Sequence, residues 1–533
     1  MRGLVGMVWG IGERIGVKDK FERMRIHLTL LLAGVCAMGF AQGTDLGRLG
    51  RGMRLEIEST TNVGGGDFAP LWLSSNRYGL SSTEKTWNYE RVGFHRDMAN
   101  DSTRRWKMGY GADIAVMFGG ERTFCLQEAF FEFGYRKVYA TLGCKKQELP
   151  MKNALLSSGG FIYGINSRPI PQIRIGAEYF NFPWTKGWWQ WKGHLSYGWK
   201  TDGGWQKSYL EKKGLLQEPL TQKARRTEGT LYHEKALYWK FGKMETFPLE
   251  FEIGLQWVTE FGGTAYNFVS RGYGIEQTKN GVKLPGDFKA YWHALIPGGV
   301  GAGDGDRPNI EGNHLGSWNL ALTFRKYGWL GRVYFERMFE DYSQLGTRYG
   351  ISDHLLGFEV GFPQNPFVSG FVLEHINTRE QSGAVFHDVT NYIPDQMDGR
   401  DNYYNHTYYT GYQHYGMTMG NPLITAPLYN KALGRDGEIF FYNNRVRAWH
   451  IGISGNPVEG LDWRLLMTFS KNWGTYSYAF EDPKSQTYLM LEAKYGPASW
   501  KGWSGKIALG LDRGDLIGNN TGCQFTVVKN FNL

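Results

Sequence analysis

The sequence predicts an all-β fold, a transmembrane antiparallel barrel of about eighteen strands with long extracellular loops. Three observations point there: strand-period alternation along almost the whole chain, loop lengths that alternate in phase with strand number, and charged side chains facing away from each apolar row. The composition suits strands and tight turns: of 533 residues 16% are aromatic, 73 are Gly and 18 are Pro. Mean hydropathy is only −0.43. Beyond the amino terminus no apolar run approaches the roughly 18 residues of a spanning helix, so a membrane protein of this composition has to be a barrel.

The one apolar run is LTLLLAGVCAMGFA, Leu28 to Ala41, preceded by Arg23, Arg25 and His27 and ending with Gly39 and Ala41 at small-residue cleavage positions. It reads as an export signal over residues 1–41, cut before Gln42, with Met24 a candidate true start. Val35 stands where a lipoprotein signal has a small residue before its cysteine, so Cys36 is not read as a lipid anchor. The mature segment, 42–533, is expected to be one barrel domain. The leader carries +3 of the chain's net +9, and the remaining positive charge reads as solvated lumen and loop charge rather than a nucleic-acid surface.

Alternating segments lie at 53–60, 87–96, 105–119, 122–134, 136–144, 170–180, 189–201, 230–242, 248–260, 317–326, 330–341, 354–363, 366–378, 444–455, 461–472, 486–496, 503–512 and 520–531. With the amino terminus in the periplasm, links after even strands should be short turns, and they include KYGWLG, FPQNPF, GNPVEG and KYGPASWKG. The long links all follow odd strands: 61–86, 145–169, 202–229, 261–316 and 379–443. Tandem soluble β-sandwiches have no reason to show this phase.

In LEFEIGLQWV (249–258), Leu249, Phe251, Ile253, Leu255 and Trp257 share one face and Glu250, Glu252 and Gln256 the other. Leu320, Leu322 and Phe324 likewise oppose Thr323 and Arg325, and Trp463 and Phe469 oppose Asp462 and Arg464. A core that buried these charges strand after strand would be costly, whereas a wet lumen accepts them. The expectation is therefore glutamates inward, with Phe251 and Trp257 toward lipid. The terminal QFTVVKNFNL, with Phe525, Val527 and Phe531 on one parity, is expected to close the barrel.

Several segments resemble the Wzi family of capsule-assembly outer-membrane proteins, particularly its Bacteroidetes members: FAPLWLSSNRYG (68–79), INSRPIPQIRIG (165–176), WWQWKGHLSYGWKTDGGW (188–205), EGNHLGSWNLALTF (311–324) and DNYYNHTYYTGYQHYGMTMGNPL (401–423). The resemblance implies a monomeric eighteen-stranded barrel with helical material at its periplasmic end. It also implies a lectin that holds capsular polysaccharide at the cell surface. The alternative is an outer-membrane porin for small solutes or oligosaccharides.

Candidate binding residues concentrate in the longest link: Tyr403, Tyr404, Asn405, His406, Tyr408, Tyr409, Tyr412 and Tyr415, with Tyr392, Asp401, Asn402, Gln413 and His414 nearby. Sugars offer an apolar C–H face and a rim of hydroxyls, which aromatic rings and amide, imidazole or carboxylate groups match. The same cluster could instead pack on itself as an internal plug. Arg168, in RPIPQ, could donate to a carboxylated sugar or pair with a lumen carboxylate. Asp304, Asp306, Asn309 and Glu311 could hold Ca²⁺, but their spacing departs from the EF-hand pattern, and a plain external loop is the simpler reading. Cys125 and Cys144 would face each other if Gly134 and Tyr135 formed the hairpin turn between them; a turn shifted by one residue unpairs them. No G-x-S-x-G, H-E-x-x-H or P-loop is present, so no enzyme, cofactor or metal is expected.

Overall fold

The computed structural model describes residues 52–270, 273–297, 311–340, 351–363, 365–387 and 397–532, with backbone alone for 382–387 and 397–400. The expected leader, Met24, Tyr392, Asp304, Asp306 and Asn309 lie outside these residues.

Eighteen strands form one sheet. They are β1 (Arg54–Gly65), β2 (Trp87–Arg96), β3 (Trp106–Phe118), β4 (Phe124–Tyr135), β5 (Val138–Cys144), β6 (Pro171–Asn181), β7 (Trp189–Trp199), β8 (Leu231–Phe241) and β9 (Leu249–Phe261) in the first half. The second half comprises β10 (Asn313–Lys326), β11 (Trp329–Glu340), β12 (His354–Gly361), β13 (Gly370–Asn377), β14 (Val446–Val458), β15 (Leu461–Gly474), β16 (Ala479–Tyr495), β17 (Trp503–Gly514) and β18 (Asn520–Asn532). Each strand pairs antiparallel with the next, and β1 pairs with β18, so the sheet is a closed barrel without an edge.

All eighteen expected segments are strands, and the boundaries differ mainly at external ends. β16 starts at Ala479 rather than 486: Ser485 and Lys484 carry the ladder on to Lys471 and Asn472, and beyond an irregularity at FEDP Ala479 pairs with Gly474, a stretch without the apolar alternation that marks a lipid-facing strand. At the opposite end the turns are tight: Tyr327 and Gly328 join β10 to β11 with φ of 53° and 81°, the left-handed pair a two-residue hairpin demands. Among the described residues the α-helices are short: α1 (Leu71–Ser74), α2 (Gly203–Lys212), α3 (Ile275–Thr278) and α4 (Phe288–Leu295). All four lie in long external links. The described helical material at the periplasmic end is limited to single 3₁₀ turns at Met98–Asp101 and Ala498–Trp500.

Faces separate as the alternation required. Phe251 is 38% exposed on the outer wall, with Leu322, Phe324, Phe469, Phe525, Val527 and Phe531 also outward. Glu250 points inward to Lys240 (3.4 Å) and Glu252 accepts from the Tyr179 hydroxyl. Trp257 corrects the sequence reading: it lies on the outer parity but is only 4% exposed. Its indole packs on Phe339 and donates to His314 Nδ1 (3.1 Å), where the wall rises into its own external loops. The cysteines stay free. The hairpin turn falls at Arg136–Lys137, so Cys144 pairs across with Ala129 and Cys125 with Ala115.

The lumen is filled. The β1–β2, β5–β6 and β13–β14 links fold inward, and their Trp72, Leu156, Phe161, Tyr404, Tyr412 and Phe441 form one core with inward wall residues such as Tyr334, Met338, Leu355, Leu466 and Met490. Polar inward groups bind the plug from several sides of the wall. Glu336 accepts the Phe161 N–H (3.0 Å) and pairs with Lys152 (2.8 Å). Glu374 accepts the Ser158 N–H (2.8 Å) and Asp512 the Leu71 N–H (3.0 Å). Trp72 Nε1 donates to Thr468 Oγ1 (3.1 Å), Thr468 contacts His450 Nδ1 (2.7 Å), and His450 Nε2 donates to the Leu156 carbonyl (2.8 Å). That chain joins two links to two strands. Trp72→Ala is therefore expected to destabilise the plug by about 3–5 kcal/mol. Amide hydrogen exchange should quicken across 66–86 and 145–170, while heat-modifiable gel mobility still reports a folded barrel.

Candidate functional site

The rim of the barrel dips at β5 and β6, and the reason is in RPIPQ. Pro169 and Pro171 have no N–H to extend the ladder, so pairing stops at Cys144 opposite Pro171. On β4 the residues beyond Ala129 have no partner on β5. The notch opens into a cleft of about 510 Å³ lined by Arg122, Thr123, Phe124, Leu126, Cys144, Arg168, Pro169, Pro171, Thr201, Trp205, Ser208, Lys212 and Tyr415, with Gly120 and Glu121.

Helix α2 supplies one wall. Its Tyr209 and Leu210 pack against Met417, Leu428 and Ile439, which turns Trp205, Ser208 and Lys212, three to four residues apart, toward the cleft. Just before α2, Asp202 accepts from the Tyr415 N–H (3.2 Å) and from Gln413 Nε2 (3.1 Å). The Tyr415 hydroxyl donates to the Thr201 carbonyl (3.1 Å). Tyr415 is thus held at both ends, and its ring carries two guanidiniums, Arg168 at 4.1 Å and Arg122 at 5.1 Å from the centroid.

Neither arginine forms an ion pair with a described carboxylate; Arg122 donates to the Gly79 carbonyl (3.1 Å) and Arg168 to that of Phe124 (3.5 Å). Arg122 Nη1 and Arg168 Nε are shielded from solvent and have no acceptor among the described residues, a cost of about 1–3 kcal/mol each. Burial, then the like charge of Arg168, pushes the Arg122 guanidinium down to about 10, so it remains cationic at neutral pH. The site offers aromatic faces and uncompensated fork-shaped donors side by side.

The structure divides the tyrosine cluster. Tyr403, Tyr404, Asn405 and Tyr412 are buried in the plug, and Tyr409 is buried against Ala265, Phe268 and Leu284 of the β9–β10 link. Tyr403 donates to Asp353 (3.1 Å), Tyr412 to the Ile162 carbonyl (2.7 Å) and Asn405 Nδ2 to the Phe441 carbonyl (2.9 Å). Tyr404 donates through its hydroxyl to the Phe161 carbonyl. The void beside Tyr412 is about 60 Å³, room for roughly two waters and not for a sugar ring. Tyr408 stands edge-on to Phe268 (5.1 Å), and His406 lies against Tyr409 (5.1 Å). Of the predicted set, only Arg168 and Tyr415 line the cleft. Sequence reasoning missed Arg122, which sits in a short turn, and Lys212; Trp205 lay within a segment quoted for the family resemblance.

Two further clusters have structural explanations. Glu311 accepts from His293 Nδ1 (2.7 Å). In the lumen His95, Asp113 and Glu128 are close enough to ligate a cation, but the Lys146 ammonium is 2.9 Å from Asp113 and 3.2 Å from Glu128, and Arg91 is also on Asp113 (2.8 Å). That is a balanced ion-pair network.

No protein-family model matches the chain, and no curated protein sequence does. Among solved structures it is similar to Wzi of Escherichia coli, described as an outer-membrane protein involved in group 1 capsule assembly and a carbohydrate-binding β-barrel: 14% identity over 92% of this chain and 86% of that one, with a TM-score of 0.53. It also aligns with Pseudomonas aeruginosa OpdL (9% identity, 90% and 99% covered, TM-score 0.43) and OprD (9% identity, 90% and 95% covered, TM-score 0.41). At these identities the likeness speaks to the fold. The fold is a closed barrel of the outer-membrane type, its lumen filled by packing from its own links.

His414 latches the cleft to the plug. Its Nδ1–H donates to the Arg168 carbonyl (3.0 Å) while Nε2 accepts from the Thr201 N–H (3.2 Å), so a second proton would set two donors against each other. Burial drives His414 down to about 4, against the pull of Asp202, and burial with the Arg225 charge drives His406 to about 3. Both are neutral when folded but take up protons near pH 6.5 once exposed. Their contribution is complete above pH 6.5 and is lost as pH falls toward 4. Exchange protection of 401–420, corrected for intrinsic rates, is expected to fall over that window, and His414→Gln to flatten part of the fall.

Proposed function

We propose that this protein binds polysaccharide rather than transporting solute, and that it holds acidic capsular or other extracellular polysaccharide at the cell surface as a monomer, without catalysis. The observation that carries this reading is the open rim cleft in which Tyr415 and Trp205 adjoin two arginines with no ion-pair partner among the described carboxylates, above a lumen packed with side chains. An acidic sugar presents a carboxylate that suits a guanidinium fork and C–H faces that suit the rings. Glu121 is the one carboxylate in the lining, whereas glycoside hydrolysis ordinarily uses a pair. The likeness to the carbohydrate-binding E. coli barrel supports the same reading at the level of the fold.

Arg122→Ala and Arg168→Ala should each remove a charge-assisted bond of about 1.5–3 kcal/mol, weakening uronate-containing oligosaccharides about 10- to 100-fold. Neutral oligosaccharides should change little, as read by titration calorimetry on the detergent-solubilised barrel. Unchanged uronate binding in both folded variants would overturn the reading. In planar bilayers the native protein is expected to show no large, stable conductance; a steady open channel would favour a diffusion porin instead.

A further inference from the structure

We propose that α4 is a lipid anchor mounted on the outside of the barrel, seating Phe288, Trp292 and Ile296 among the acyl chains at the external edge of the outer leaflet. This is independent of the polysaccharide reading.

The α4 end of the β9–β10 link packs on the outer face of the wall, whereas Ala265, Phe268 and Leu284 earlier in the link pack with Tyr409. Thr259 Oγ1 donates to the Ala294 carbonyl (3.3 Å), Lys235 Nζ donates to the same carbonyl (3.2 Å), and the Tyr197 hydroxyl donates to the Tyr291 carbonyl (2.9 Å). All three wall residues share the outward parity. Thr259 alternates with the exposed Phe251, and Lys235 lies opposite the exposed Leu195, which is two residues from Tyr197. Their inward neighbours face the lumen, where Glu234 pairs with Arg174 (2.5 Å). Small residues let the helix sit close: Ala290 and Ala294 are buried against Phe261, and Tyr291 packs edge-on to Phe261 (5.0 Å). The last-turn carbonyls cover Lys235, whose ammonium would otherwise face lipid.

With that face docked, the opposite one carries Phe288 at 86%, Trp292 at 53% and Ile296 at 53% exposure, spaced i, i+4, i+8. Asp287 fixes the helix start by accepting from the Ala290 N–H (3.0 Å), so the stripe is held in place by the wall and by its own cap. Its height identifies its occupant. A lipid-facing band roughly 25 Å tall, crossed by strands rising ~3.4 Å per residue and tilted about 40°, spans about ten residues. Counted from Phe251, exposed near the periplasmic end of β9, the band reaches Phe261, where α4 packs. The stripe therefore continues the outer apolar wall, at the depth where amphipathic helices and tryptophans settle.

A nitroxide placed singly by Phe288→Cys, Trp292→Cys or Ile296→Cys, in a Cys523→Ser background, tests this in vesicles of phosphatidylethanolamine and phosphatidylglycerol. Cys125 and Cys144 are buried, and heat-modifiable mobility verifies folding. All three labels are expected to collide with lipid-dissolved oxygen several-fold more than with an aqueous nickel chelate, as a label at Phe251 does and one at Lys431 does not. Nickel contact equal to that at Lys431 would overturn the proposal by placing the stripe in water. Spin–spin broadening that disappears on dilution with unlabelled protein would also overturn it, by showing a second copy on the stripe.

Discussion

The closed backbone ladder is the constraint from which the rest follows. Hydrocarbon offers no partner to a peptide N–H or C=O, so β1 must bond β2 on one side and β18 on the other, and every strand must find both neighbours. Closure divides the side chains into two sets with opposite requirements. The outward set meets acyl chains and is predominantly apolar. The inward set is released from that demand and is charged, which creates the next requirement: each buried charge needs a partner.

Those partners come from two sources. Some are neighbouring strands, as where Arg332 meets Glu359 (3.1 Å) and Arg464 meets Glu492 (2.8 Å). Others are the external links, whose backbone amides cap Glu336, Glu374 and Asp512. A carboxylate bonded to a backbone N–H fixes where that stretch of chain must lie, so the inward acids also serve as the plug's template. The apolar side chains between them, Trp72 and Phe161 among them, then close-pack against Met490, Leu466 and Tyr334. Such a plug leaves little freedom for a mouth-wide binding site.

What remains open lies where the ladder is short. Pro169 and Pro171 end the pairing of β6 early, and the gap is bordered by four links, β3–β4, β5–β6, β7–β8 and β13–β14. Arg122, Arg168 and Lys212 converge there with Glu121 the one carboxylate among the described lining residues, in contrast to the compensated lumen. Outside the wall the end of the β9–β10 link solves a different problem, covering outward polar residues such as Lys235 and His314 that lipid would penalise. Inside, at the rim and outside, the links thus go where unpaired wall groups require them.

The sequence by itself determined the strand number, the direction of each face and which links are long, because parity and turn chemistry are local and repeat eighteen times in the same phase. It also placed Arg168 and Tyr415 among the binding candidates. Only the tertiary structure decided that Tyr404 and Tyr412 brace the plug while Tyr415, a few residues on, lines the cleft. Their composition is alike; what differs is the partner each finds, Phe161 and Ile162 in one case and Thr201 and two arginines in the other. Arg122 and Arg168 meet because pairing stops between Cys144 and Pro171. Trp257 keeps its outward parity but loses its lipid contact because His314 and Phe339 of the neighbouring strands close over it. In each case the deciding contact joins residues far apart in the chain, and local alternation cannot encode which distant segment comes to rest against a given face.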